Sequence, residues 1–375
     1  MPERRYNPIE FHCRHCDFLL TFPVECAGRV EVCPECANYL DVPEPEEEFA
    51  TLRSPSVTLP SGQVFHLEMR EGLVRPRFDL LIPEIINSTH NDNLEEVFTT
   101  AARCWLTELA VSCGPEYRLS ESANFHVVLK LSEAQVATVH RHCEQARSQT
   151  LEIMQGIADE TGHGPHVVLL FHSYDLFYRY VAPFHSEGEY GGASGMFLNE
   201  GGYSHIVAPY DRDHWEGTII HELVHELVSH LPLPLWLNEG VTMLIQWRLT
   251  GVEPVEVSPR CRSDLRAFWQ SHVLEEFWSG HSFSAPDDRQ RFSYVLAFLT
   301  VNHLSLEYQD QFRDFVLLAT VEDAGSQAAR LSLNTELGEV MRKLLGDGSW
   351  TPQNQYADDT PGPANCLAIQ QRTYR

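Results

Sequence analysis

The 375-residue sequence predicts an α+β fold: a mixed sheet with helices on one side, then an all-helical C-terminal half, preceded by a small cysteine-stapled module. Three observations predict it. Short apolar runs that read as strands alternate with helix-length segments between residues 125 and 208. Amphipathic helical periods alone fill residues 264–345. Two Cys-x-x-Cys pairs stand near the amino terminus.

Cys13-x-x-Cys16 and Cys33-x-x-Cys36 are separated by sixteen residues, a spacing that suits four thiolates around one zinc ion. A segment of about forty residues can hardly fold without such a staple. All four positions are filled, so no open site remains and this zinc is structural. Cys26, between the pairs, is a bystander. Iron suits the same spacing, and two disulfides would suit it in a secreted module. Residues 1–43 resemble the small zinc ribbons of the type Phe-x-Cys-x-x-Cys…Cys-Pro-x-Cys, which end in a short apolar strand such as residues 39–43. The ribbon holds four Arg against seven acidic residues. That balance is poorly suited to neutralising phosphates, so a protein-interaction or purely structural role is expected rather than nucleic-acid binding.

Residues 44–123 open on the acidic linker Glu44-Pro45-Glu46-Glu47-Glu48 and continue as an extension with one helix, 94–111, ended by Gly114-Pro115. Residues 78–86 read as a strand or a buried turn. The main domain spans 124–346. It begins with a strand at 125–131, a long helix at 133–160, a strand at 166–172 and a short helix at 174–181. Strands at 195–199 and 203–208 form a hairpin joined at Glu200-Gly201-Gly202. A strongly apolar helix follows at 218–230, with Thr218 as its N-cap and Pro232 as its stop. Pro232 and Pro234 force a break before a second apolar segment, Trp236-Leu237-Asn238-Glu239-Gly240. Amphipathic helices occupy 264–278, 291–306, 309–318 and 335–345. Residues 347–375 are rich in Pro, Gly, Asn and Gln and read as disordered.

Within the apolar helix stands His221-Glu222-Leu223-Val224-His225. Residues four apart share one helical face, so both imidazoles can point at one metal ion while Glu222 reaches a water beside it. Glu239, fourteen residues on, supplies a third ligand, and two His plus one Glu is a known catalytic zinc set with one open position. Buried imidazoles and carboxylates are costly unless paired or metal-bound, which is the alternative this helix must answer.

His-Glu-x-x-His followed by Trp-Leu-Asn-Glu-Gly resembles the gluzincin metallopeptidases, especially the peptidase MA-like domains, over residues 124–320. The resemblance implies a zincin-like fold with His221, His225 and Glu239 as ligands of a catalytic zinc and Glu222 as general base. Only thirteen residues separate His225 from Glu239, which suits the compact MA-like group. Where gluzincins often place a supporting acid after the third ligand, this chain has Thr242 and Met243, which leaves the residues that orient the ligands unassigned. Gluzincins often use a downstream Tyr as the oxyanion donor, and Tyr294 is the candidate; as a core aromatic on an amphipathic helix it needs no such role. The strand at 195–199 would pair with an extended peptide substrate. Leu198 stands near the place of the aminopeptidase amine anchor, with Glu200 as a loose substitute, which leaves an endopeptidase or an undefined peptide substrate as the expectation. His205, Tyr203, His214 and His230 read as surface or structural residues.

Lys plus Arg number 27 against 53 acidic residues, a net charge of −26 that disfavours nucleic acid and anionic membranes. No apolar run follows Met1-Pro2-Glu3-Arg4-Arg5-Tyr6 as in a signal peptide, and none is long enough to span a bilayer. The scattered Cys104, Cys113, Cys143, Cys261 and Cys366 suit reduced thiols in a cytoplasm. The leading expectation is a cytoplasmic zinc peptidase acting on a peptide or protein, with two zinc ions, one catalytic and one structural. A zinc hydrolase of a non-peptide amide or ester, and a non-enzymatic scaffold using the ribbon, are the competing readings.

Overall fold

The computed structural model describes residues 9–13, 15–23, 26, 29–42, 55–59, 62–89, 93–160, 162–184, 193–200, 203–255, 257–353 and 356. The chain divides into two units, residues 1–54 and 55–375.

In the first unit, β1 (Ile9–His12) pairs antiparallel with β2 (Leu19–Phe22), and β3 (Val30–Val32) with β4 (Tyr39–Asp41). The two hairpins turn in the same way. Asp17 N–H donates to Cys13 C=O at 2.8 Å, and Ala37 N–H to Cys33 C=O at 2.9 Å. Asp17 and Ala37 hold φ of 60° and 59°, the left-handed region, although neither is glycine. That backbone costs an alanine about 1–2 kcal/mol. The turns are therefore held by something stronger than local preference, and what they share is a pair of converging thiols. Ile9, Leu20, Leu40 and Val42 make a small core with Cys13 and Cys33.

The second unit is organised by a five-stranded sheet, ordered β12-β13-β11-β10-β9. Its strands are β9 (Arg118–Glu121), β10 (Phe125–Leu129), β11 (His166–Phe171), β12 (Met196–Glu200) and β13 (Tyr203–Pro209). The three central strands run parallel, and both edges are antiparallel. Hairpins β5–β6 (Ser56–Thr58, Val64–His66) and β7–β8 (Glu68–Arg70, Leu73–Arg75) precede it.

Helices cover both faces of this sheet, not one. Phe125, Val127, Leu129, Val168, Leu170, Ile206 and Ala208 join a core with α3 (Glu133–Ile153) and α5 (Trp215–Val228). The alternate residues Val128, Val167, Leu169, Phe171 and Val207 join a second core with α1 (Phe78–Ser88), α2 (Leu94–Cys113) and α4 (Tyr174–Val181). The reason lies in the strands: Val167 to Phe171 is apolar without alternation, as in parallel strands buried on both sides. The main domain consequently reaches back beyond residue 124, because β9 is one of its strands and α1 and α2 cover it.

Residues 78–88 form a helix rather than a strand or turn. Phe78, Leu81, Ile82 and Ile85 are buried at helical spacing, and that stripe outweighs the hydrogen bond lost at Pro83. The helix at 133 ends at Ile153, short of residue 160; Gly156 turns the chain at φ 76°, and Asp159 N–H then donates to Leu227 C=O at 2.9 Å.

The helical half comprises α6 (Leu235–Thr250), α7 (Pro259–Ser271), α8 (Glu275–Trp278), α9 (Asp288–Glu307), α10 (Phe312–Leu318), α11 (Ser326–Ala328), a π-turn at Ala329–Leu333, and α12 (Leu337–Leu345). The predicted helix at 264–278 is two helices, broken at His272. Its true start was encoded: Ser258 caps Cys261 N–H at 3.2 Å and Pro259 takes the first helical position. The residues after Gly346 are not all unstructured. Trp350 is buried and its C=O accepts from Trp278 Nε1 at 3.0 Å, while Tyr356 N–H donates to Glu322 C=O at 2.7 Å. Residues 354, 355 and 357–375 lie outside the described residues.

Candidate metal centres

Apart from Glu216 and Gly217, every residue of α5 is buried, which is why so apolar a sequence forms it. It begins at Trp215, with His214 as N-cap; Thr218 lies inside, its hydroxyl returning to His214 C=O at 3.2 Å. One helical turn apart, His221 and His225 bring their Nε2 atoms to 3.1 Å from each other. Glu239 Oε2, on α6, lies 3.5 Å from the first and 3.7 Å from the second. Ligand atoms about 2.0–2.2 Å from a tetrahedral ion stand about 3.3–3.6 Å apart, so the three atoms fit one ion. Both Glu239 oxygens are buried without a hydrogen-bond partner, which a bound cation would supply.

Three further side chains orient the imidazoles. Gln246 Oε1 faces His221 Nδ1 at 3.2 Å; Asn238 Oδ1 faces His225 Nδ1 at 2.9 Å, with Thr242 Oγ1 at 3.3 Å. An amide oxygen can only accept, so Nδ1 donates and each Nε2 keeps its lone pair for the ion. Sequence reasoning missed this set. The signal was available: with Asn238 at the start, Glu239, Thr242 and Gln246 recur at i, i+3 and i+7 on one face of α6.

Burial drives His221 and His225 down to about 4, against which Glu239 acts in the favourable direction at His225. Neutral imidazoles are the form that binds metal. Burial raises Glu239 to about 7, opposed by His225, and raises Glu222 well above an ordinary carboxylate, helped by Glu239 nearby. Two buried carboxylates facing each other are the arrangement that a divalent cation relieves.

Glu222 lies between α5 and the edge strand β12. It accepts the Phe197 backbone N–H, and its Oε2 is buried without a partner. Gly195 permits this closeness: a Cβ there would stand 3.0 Å from Glu222 Oε1 and run into the Thr218 methyl. Leu198 is buried on the sheet face away from α5, and Glu200 is half-buried at the end of β12. Tyr294 sits on α9, the helix packed on α6, 3% exposed and edge-on to Phe283. His205 is buried on the far face of the sheet against Tyr180, Tyr203 lies beside it, His214 faces Asp211 at 3.2 Å, and His230 is exposed.

Gly240 sets the position of Glu239. A Cβ added to it would stand 2.7 Å from Ala297 C=O and meet the Val301 methyl on α9. Gly240→Ala gains about 1 kcal/mol of helix propensity. The clash costs about 1–3 kcal/mol, since a backbone oxygen cannot yield, and should win. The expected result in urea is a lower midpoint together with reduced metal content; a more stable variant with full metal would refute the close packing.

The second centre is the ribbon. Cys13 and Cys36 hold their sulfurs 3.8 Å apart, Cys16 and Cys33 theirs 3.7 Å apart, and all four lie within 4.8 Å of one another. Thiolates about 2.3 Å from a tetrahedral ion stand about 3.8 Å apart. The spacing is far longer than a disulfide bond of about 2 Å, and all four are free cysteines. His15 N–H donates to Cys13 Sγ and Asn38 Nδ2 to Cys36 Sγ, each at 3.4 Å. Cys26 is outside the cluster.

Comparison with protein-family models and with characterised proteins finds no match for this sequence. Among the described residues no helix is long and apolar enough to cross a membrane.

Proposed function

We propose that the chain is a zinc-dependent peptidase of the gluzincin kind with a zincin-like fold, and that its ribbon carries a structural zinc. The observation that carries this reading is the convergence of His221, His225 and Glu239 beside a general base with an unpartnered oxygen, Glu222. Zinc held by the three supplies Lewis acidity, acidifying water and polarising a carbonyl. Asn238, Thr242 and Gln246 fix the imidazoles. Glu222, beside the three converging side chains, is placed to accept a proton from water and return it to a leaving amine. Tyr294 is the proposed oxyanion donor. β12 is the sheet's edge and its Phe197 N–H already reaches Glu222, so an extended peptide adding to that edge would lie alongside the base.

The test is the zinc content of the purified protein beside its His225→Ala variant. About two ions falling to about one would support separate ribbon and histidine sites. An unchanged content near one would remove the basis for a peptidase. Digestion of a peptide library beside ester substrates then separates peptidase from other hydrolase.

A further inference from the structure

On the sheet face opposite the histidine centre lies an arginine with one edge of its guanidinium unbonded. Arg75, at the end of β8, is 3% exposed, and its Nε and Nη2 are buried with no hydrogen bond. Its guanidinium carbon stands 3.9 Å from the Tyr180 ring centroid and 4.7 Å from that of Phe184. The aromatic faces hold the cation in place but cannot accept its in-plane N–H groups. Tyr180 OH is committed to His205 Nε2 at 2.9 Å; Glu200 and Glu71 attract Arg75 electrostatically, but among the described residues no carboxylate reaches it in an ion pair. The neighbouring arginines differ: Arg70 and Arg77 are half-exposed and both pair with Glu68.

A buried guanidinium edge with no hydrogen-bonded acceptor is disfavoured beyond what two ring contacts return. The two orphaned atoms are also not a random pair. Nε and Nη2 form one edge of the guanidinium, the fork that grips two oxygens of a carboxylate or phosphate side by side. We propose that Arg75, between Tyr180 and Phe184, is the floor of a binding site for a compact oxyanion, a carboxylate or a phosphate group. The site is separate from the proposed catalytic centre: His205, which packs on both Tyr180 and Phe184, shares with Tyr203 the sheet face away from α5. At a net charge of −26 the long-range field opposes anions, so affinity at this site has to come from the local guanidinium fork.

The experiment is calorimetric titration of the full-length protein with inorganic phosphate and, separately, with acetate. Saturable binding of one anion per chain is expected, and whichever binds tighter identifies the group. Arg75→Lys keeps the charge but loses the fork and should weaken binding by about tenfold or more; Arg75→Met should abolish it. Phe184→Leu, which leaves Arg75 in place and removes one ring, should weaken it by several-fold and keeps the test open if the Arg75 variants do not fold. Zinc content should not change in any variant, which separates this site's failure from failure of the peptidase reading. Absence of saturable binding of both anions to the wild type overturns the proposal. So does binding that survives undiminished in Arg75→Lys or Phe184→Leu.

Discussion

Glu222→Gln is expected to keep its metal and lose hydrolysis by about 10²–10⁴-fold or more, the usual contribution of a positioned general base. The amide has the shape of the carboxylate, and its oxygen can still accept the Phe197 N–H. What it cannot do is take a proton from water. Glu222 is not one of the three converging ligands, so zinc content should match the wild type. The same substitution removes a buried carboxylate that faces Glu239. Thermal stability should therefore be equal or higher, the pattern expected where a site keeps a destabilising group for its chemistry. Wild-type turnover in the variant would refute the role of Glu222; loss of metal would show that its contribution is structural.

The second large effect belongs to His166. Its ring lies between two carboxylates, Nδ1 3.1 Å from Glu226 and Nε2 3.0 Å from Glu160, and Arg147 backs Glu160. Burial favours the neutral ring, but Glu226 and Glu160 outweigh it and raise His166 to about 10. Glu226 follows His225 directly on α5, so this cluster ties the helix that carries both converging histidines to the start of β11. His166→Gln leaves Glu226 buried beside a neutral partner and should cost about 3–5 kcal/mol. The pH dependence has a definite sign. A histidine raised from 6.5 to about 10 contributes its full stabilisation below 6.5 and loses it as pH rises through 10. Denaturant titrations between pH 6.5 and 10 should show the wild type weakening while His166→Gln lacks that slope. Parallel curves would mean that the ring is neutral in the folded protein.

Neither His166 nor Glu226 stood out in the sequence, although both lie next to features that did. His166 opens a strand, and Glu226 follows the candidate ligand His225. Their partnership joins residues 60 positions apart, which no local spacing can reveal. Asn238, Thr242 and Gln246 are a different case. They sit on one helical face with Glu239, so periodicity alone was enough to find them. The helix at 78–88 was likewise legible in its apolar stripe, with Pro83 a misleading stop signal.

By itself the sequence determined what short range can encode: the four cysteines in two knuckles, two imidazoles one turn apart on an apolar helix, the hairpin before it, and the order of strands and helices from residue 125 to the end of α5. Each depends on residues within a few positions of one another, where chain geometry leaves little choice. The tertiary structure alone decided that helices cover both sheet faces and that β9 extends the main domain. It also decided how closely Gly240 brings α6 to α9, and that Arg75 has two rings but, among the described residues, no ion-paired carboxylate. Those outcomes rest on which buried surfaces meet. That is a property of the packed molecule, in which non-directional apolar burial brings distant segments together and the polar groups caught among them must find partners.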